Sequence, residues 1–69
     1  MWEWAVVRNH NGTEIAKFHY KEVDCLHHAI NERDKYEHQT GNEAWVCKET
    51  KKEYEGNQET YRKHKFIQY

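Results

Sequence analysis

The sequence predicts a small α+β domain with one helix packed on one face of an antiparallel sheet of three to four strands, in the order β-β-α-β-β. Residues 22–38 are the only stretch with a sustained helical period. The segments on either side alternate in polarity and carry the aromatic and β-branched residues typical of strands. An Asn-Gly pair at residues 11–12 marks a hairpin turn.

Length and composition limit the size of the fold. The 69 residues predict a single domain, residues 1–69. Three Trp, five Tyr and two Phe argue against disorder, although 33% of the residues are charged. A domain of this size buries a small core and is marginally stable without a disulfide, a metal ion or a partner chain.

The first hairpin carries apolar groups on both faces. Residues 2–8 form the first predicted strand, with Trp2, Trp4 and Val6 on one side. Residues 13–20 form the return strand, with Ala16 and Phe18 on one side and Ile15 on the other. A helix covers only one face, so the other face needs a cover, which indicates a partner surface.

The central helix is predicted over residues 22–38. One of its sides carries Val23, Leu26, Ala29, Ile30, Arg33 and Tyr36. Asp24 is the candidate N-cap of a helix that starts near Cys25, and Glu22 is the first-turn acid if the helix begins earlier. Gly41 is available for a left-handed C-cap. Arg33 is expected at the edge of the core, with its stem on apolar surface and its charge in water.

The C-terminal part is predicted to be a second hairpin. Residues 43–50 form a strand with Ala44 and Val46 on one face and Trp45 and Cys47 on the other. Residues 51–54 extend this strand, and residues 55–58 form a turn. Residues 59–69 favour a final strand, with a short helix as the alternative.

Charge and hydropathy exclude several classes. Eleven basic and twelve acidic residues give a net charge of −1, which excludes an acidic DNA mimic and removes the simplest argument for nucleic-acid binding. No apolar run is long enough to span a bilayer, and the first residues do not resemble a signal peptide. We therefore expect a cytoplasmic protein with reduced cysteines that does not bind membranes.

Metal binding is weakly indicated. Cys25 and His28 are three residues apart on the helix, and His19, Cys47 and His64 are further candidate ligands. The sequence has no CxxC or HxxxH pair, so we expect buried cysteines and no metal or cofactor. A disulfide between Cys25 and Cys47 is the alternative if helix and third strand are adjacent.

Catalysis is not expected. The chain lacks a glycine-rich phosphate loop and the GxSxG and HExxH motifs. A core this small does not readily enclose a substrate pocket. We predict a protein that is not an enzyme and has no catalytic residues.

The leading functional hypothesis is a binding module that docks on a protein partner, or on a second copy of itself, through the aromatic sheet face. Aromatic residues and Arg anchor protein interfaces. We expect Trp2, Trp4, Trp45 and Tyr61 to make the contacts.

The alternative is nucleic-acid binding by the basic and aromatic C-terminal segment. In this hypothesis Tyr61 or Phe66 stacks on bases. The phosphate contacts are assigned to Lys52, Arg62, Lys63 and Lys65.

The order of hairpin, helix and strand, with an aromatic first strand, is similar to that of some small phage-encoded proteins that bind and inhibit host enzymes. Integrase arm-binding domains also combine a small sheet with one helix. These are likenesses of element order. The first implies a phage- or bacterial-type regulator or inhibitor.

Overall fold

The computed structural model describes residues 1–60, and side chains up to residue 56. The elements are β1 (Trp4–Asn9), β2 (Glu14–His19), α1 (Cys25–Thr40), β3 (Ala44–Glu49) and α2 (Lys51–Thr60). The strands form an antiparallel sheet of order β2-β1-β3, and α1 contacts all three strands. The predicted α+β fold, with a helix on a small antiparallel sheet, is confirmed.

The first hairpin closes through the side chain of Asn9. Its Oδ1 accepts the backbone N–H groups of Asn11 (2.9 Å) and Thr13 (3.0 Å), and its carbonyl accepts the N–H of Gly12 (2.8 Å). Gly12 adopts a φ of 82°, whereas Asn11 has no positive φ. The predicted turn is confirmed, and glycine alone supplies its left-handed residue.

A β-bulge lies in the middle of the hairpin. Val7 pairs with Ala16, but Arg8 pairs with Glu14, so Ile15 is the extra residue. Ile15 and Ala16 both pack against the cluster beneath α1. The prediction that strict alternation places Ile15 on the opposite face from Ala16 is therefore wrong.

Helix α1 begins and ends at the predicted caps. Asp24 is the N-cap, but it has a left-handed φ of 55° and makes no side-chain cap bond. Gly41 ends the helix with a φ of 74° and donates its N–H to the Glu37 carbonyl (2.8 Å). Val23 precedes the helix and is 82% exposed, so its predicted place on the buried side is wrong.

The main core lies between α1 and the sheet. Its buried members are Ala5, Val7, Ala29, Ala44 and Val46. Three of these five are alanines, which lets the helix approach the strands closely. Larger residues surround this centre: Trp2, Ile15, Ala16, Phe18, Leu26 and Tyr36.

The segment after β3 is helical. Thr50 and Glu53 form a reciprocal capping box, because the Glu53 N–H donates to Thr50 Oγ1 (3.1 Å) and the Thr50 N–H donates to Glu53 Oε1 (2.8 Å). Helix α2 starts directly after it. The predictions that residues 51–54 extend the strand and that residues 55–58 form a turn are wrong.

The predicted fourth strand is not confirmed. Residues 59 and 60 belong to α2, and residues 61–69 lie outside the described residues. The prediction of one domain over residues 1–69 likewise stays a prediction.

Candidate docking surface on the sheet face opposite α1

The face of the sheet opposite α1, here called the second face, is defined by the strand register. Residues directly opposite each other in neighbouring strands share a face. Val6 of β1 pairs with Lys17 of β2 and with Cys47 of β3, and none of the three belongs to the cluster under α1. The second face therefore presents Trp4, Val6, Arg8, Glu14, Lys17, His19, Trp45, Cys47 and Glu49.

The centre of the second face is a buried ion pair. Arg8 donates from Nε to Glu49 Oε2 (2.8 Å) and from Nη2 to Glu49 Oε1 (3.0 Å). Its Nη1 also donates to the Gly12 carbonyl (3.0 Å). Relative exposures are 0% for Arg8 and 3% for Glu49. This bidentate geometry fixes both side chains and ties β1 to β3.

Cys47 lies beside this pair and is almost fully buried. Burial raises the pKa of the Cys47 thiol to about 12, and the neighbouring Glu49 carboxylate raises it further than the Arg8 guanidinium lowers it. A thiol with this pKa stays protonated at neutral pH and is a poor nucleophile or metal ligand. The second face therefore gains no nucleophile from Cys47.

Trp4 is the centre of a half-exposed aromatic cluster. The His19 ring meets it edge-on at a centroid distance of 4.9 Å, and the Tyr54 ring lies 5.9 Å away. The exposed Lys17 places its Nζ 4.5 Å from the indole centroid. Cation–π attraction and ring contacts thus hold Trp4 in one orientation while part of its surface faces solvent.

Tyr54 brings α2 across the second face. Its hydroxyl donates to Glu14 Oε1 (2.5 Å) and accepts a hydrogen bond from Lys17 Nζ (3.1 Å). Both partners belong to β2, the strand on the far side of the sheet from β3, where α2 begins. The face that the sequence predicts to be uncovered is therefore partly crossed by α2.

Trp45 lies at the opposite end of the second face from Trp4. Trp45 pairs with Arg8 on β1, whereas Trp4 pairs with Glu49 on β3. The four-residue step from Trp4 to Arg8 along β1 corresponds to about 13 Å. Both indoles are half-buried. They flank the Arg8–Glu49 pair.

Trp2 belongs to a different surface. It precedes β1 and packs against the cluster under α1, with an edge contact to Tyr20 at 6.2 Å and with Lys48 Nζ 5.6 Å from its ring. The prediction that Trp2 shares one side with Trp4 is wrong, because the regular alternation of β1 begins only at Trp4.

Two glutamates each accept one backbone amide at the end of an outer strand of the described sheet. The backbone N–H of Tyr20 donates to the Glu3 carbonyl. Because successive amides of a strand point in opposite directions, the N–H of His19 points away from β1, where it donates to Glu22 Oε2 (2.8 Å). At the start of β3, Glu37 Oε2 accepts the Ala44 N–H (3.0 Å). These hydrogen bonds satisfy the amides of His19 and Ala44 within the chain. Sequence spacing alone did not reveal them.

The other predicted site residues are only partly described. Lys52 is exposed on α2. The remaining predicted contact residues lie outside the described residues: Tyr61, Arg62, Lys63, Lys65 and Phe66. The nucleic-acid hypothesis, as predicted from the C-terminal segment, therefore stays a prediction.

The candidate metal ligands are separated. Cys25 and Cys47 are free and lie on opposite sides of the sheet, so the alternative of a disulfide is wrong. His28 stacks on Phe18 at 6.0 Å. Among residues 1–56, no three His, Cys, Asp or Glu side chains come together to hold an ion. His64 is beyond the described residues.

Neither helix that the structure describes has the length and apolar character needed to cross a membrane. Comparison of the chain with protein-family models, with curated proteins and with solved structures finds no match.

Proposed function

We propose that this chain is a non-enzymatic binding module that docks on a protein partner through the second face. The observation that carries the proposal is the placement of Trp4 and Trp45, two half-buried indoles on the same face of one sheet. Partly exposed Trp side chains on a rigid scaffold are typical anchors of protein interfaces, because they bury a large area at low cost in conformational entropy.

The charges around the indoles favour a protein over a polyanion. Lys17 is exposed over Trp4, but Glu14 on the same strand and Glu3 near His19 (3.9 Å) balance the local charge. We therefore assign to the partner an apolar surface that covers Trp4 and Trp45 and a carboxylate that meets the Lys17 ammonium. In this proposal the chain needs no cofactor and acts in the cytoplasm as a small regulator or inhibitor.

The test is affinity capture with quantitative mass spectrometry, in which the bait is the full chain or one of its variants. Trp45→Ala removes one of the two Trp anchors, and Lys17→Glu reverses the charge beside the other anchor, Trp4. Lys35→Ala, on the exposed side of α1, is the matched control. We expect one protein that is enriched by the wild-type and control baits and depleted about tenfold or more by both second-face variants, the loss expected for an interface anchor. If no captured protein shows this dependence, the proposal is wrong.

Self-association is measured separately. Light scattering after size exclusion at two concentrations gives the mass in solution. A dimer that Trp45→Ala dissociates would make a second copy of the chain the partner.

Nucleic-acid binding is kept as a second candidate because of one observation. Three lysine ammonium groups lie near aromatic rings: Lys17 over Trp4 and Tyr54 (4.5 Å each), Lys21 over Tyr20 (5.9 Å) and Lys48 over Trp2 (5.6 Å). Lysines that move to phosphates would free the ring faces for stacking on single-stranded bases. A complex with short DNA or RNA that weakens steeply with salt would replace the protein partner with a nucleic acid.

A further inference from the structure

We infer that α2 is a releasable cover of the second face, held in place by Tyr54, and that α2 and the partner compete for Trp4. The inference rests on the proposed function, since it describes how access to that surface is regulated. It follows from the attachment of α2, from what Tyr54 covers and from the weakness of α2 as an isolated helix.

Among the α2 side chains that the structure describes, residues 51–56, Tyr54 is the one that contacts the sheet. Lys51, Lys52, Glu53 and Glu55 are all exposed, and Tyr54 alone is half-buried. Its hydroxyl bridges two β2 side chains of opposite charge, as donor to the carboxylate and as acceptor from the ammonium. The Lys17 Nζ lies 3.1 Å from this hydroxyl and 4.5 Å from the ring centroid, so the contact is mainly a hydrogen bond at the hydroxyl end.

Tyr54 lies over the groups that form the docking surface. Its ring centroid is 5.9 Å from the Trp4 ring and 5.9 Å from the Arg8 guanidinium carbon. The indole of Trp4 therefore has part of its surface against Tyr54. A partner that packs on this indole, and whose carboxylate meets Lys17, takes over two contacts that Tyr54 makes. Docking of the partner and docking of α2 consequently exclude each other at this end of the face.

Helix α2 has little stability of its own. Its described part, Lys51–Thr60, has ten residues, and Gly56 lies in its interior, where glycine is among the least favourable helix residues. Isolated helices shorter than about 12–15 residues are marginal in water. We therefore expect α2 to lose helical structure when Tyr54 leaves the sheet. The core under α1 lies on the other face, and none of the α2 residues with described side chains, residues 51–56, belongs to it. We therefore expect the sheet and α1 to remain folded.

The first experiment measures hydrogen exchange of the backbone amides of residues 51–60 in the isolated full chain, with no partner present. Tyr54→Phe removes only the hydroxyl bridge, Tyr54→Ala removes the whole anchor, and Glu55→Ala is the control on the exposed side of α2. We expect exchange in this segment to rise about tenfold or more in Tyr54→Ala, less in Tyr54→Phe and not in the control, while α1 and the strands keep their protection. Unchanged exchange in α2, or an equal rise in α1 and the strands, would overturn the inference.

The second experiment uses the partner identified by affinity capture. If α2 competes with the partner, Tyr54→Ala binds it several-fold more tightly than the wild-type chain. Equal or weaker binding by Tyr54→Ala shows that α2 does not compete, and overturns the inference while the proposed function stands. Because the exchange experiment needs no partner, it tests the attachment of α2 by Tyr54 whether or not the proposed function is right. A failure to capture any partner concerns the proposed function alone.

Discussion

Replacing Glu49 by alanine should strongly destabilise the protein, because it removes one member of the buried ion pair on the second face. Arg8 is fully buried, and Glu49 accepts two of its hydrogen bonds. In Glu49→Ala the guanidinium keeps its charge, because the pKa of arginine is above any accessible pH. It then loses both hydrogen bonds to the Glu49 carboxylate while it stays in the interior.

The expected loss is about 3–5 kcal/mol in the free energy of unfolding, the cost of removing one partner from a buried ion pair. A chain of 69 residues has a total stability of roughly 3–10 kcal/mol. Glu49→Ala should therefore be largely or partly unfolded at 25 °C. The double variant Arg8→Met/Glu49→Leu removes both charges at similar volume, and should come within about 2 kcal/mol of the wild-type chain or exceed it.

Urea unfolding followed by circular dichroism at 222 nm measures these differences in all three proteins. The double variant serves as the control, because it changes the same positions without leaving a buried charge. The explanation fails if Glu49→Ala loses less than about 1 kcal/mol, the value typical of an exposed pair. It also fails if the double variant is less stable than Glu49→Ala.

Three further predictions concern other parts of the fold. The raised pKa of the Cys47 thiol means that the folded state holds its proton above pH 9, so stability should fall by about 1 kcal/mol between pH 8 and pH 10 in the wild-type chain. In Cys47→Ala, the free energy of unfolding measured with urea should fall by about 1 kcal/mol less between pH 8 and pH 10 than it does in the wild-type chain. Asp24→Val should be less stable than Asp24→Gly by about 1–2 kcal/mol, because a β-branched residue is strained at a φ of 55°; equal midpoints in thermal unfolding would contradict this. Thr50→Ala should cost about 1 kcal/mol of helix stability at α2, measured as faster amide exchange in residues 51–60, whereas Thr50→Ser should retain most of the cap.

Local patterns predicted most of the fold correctly, because the physical cause lies within a few residues of sequence. Alternation in residues 44–47 separates Ala44 and Val46 from Trp45 and Cys47, and the structure has that arrangement. Gly41 ends α1 because glycine adopts a left-handed φ without steric cost. The missed helix α2 also had a local signal, the Thr-Lys-Lys-Glu capping box at residues 50–53.

The bulge was not predictable from alternation. A single extra residue changes which face every later side chain of the strand occupies, and both registers give an apolar pattern in this chain. The position of Ile15 beside Ala16 was settled by packing against α1. The separation of Trp2 from Trp4 has a similar cause, because the chain before Trp4 is not held by the regular strand geometry.

The sequence by itself determined the first hairpin and its turn, helix α1 with its two caps and strand β3, since backbone preferences and side-chain periodicity act over short distances. Tertiary structure alone decided the second face. Arg8 and Glu49 are 41 positions apart, and they pair only because β3 lies beside β1. Tyr54 reaches Lys17 across the same sheet. Strand order brings these groups together, and short-range sequence patterns contain no information about that order.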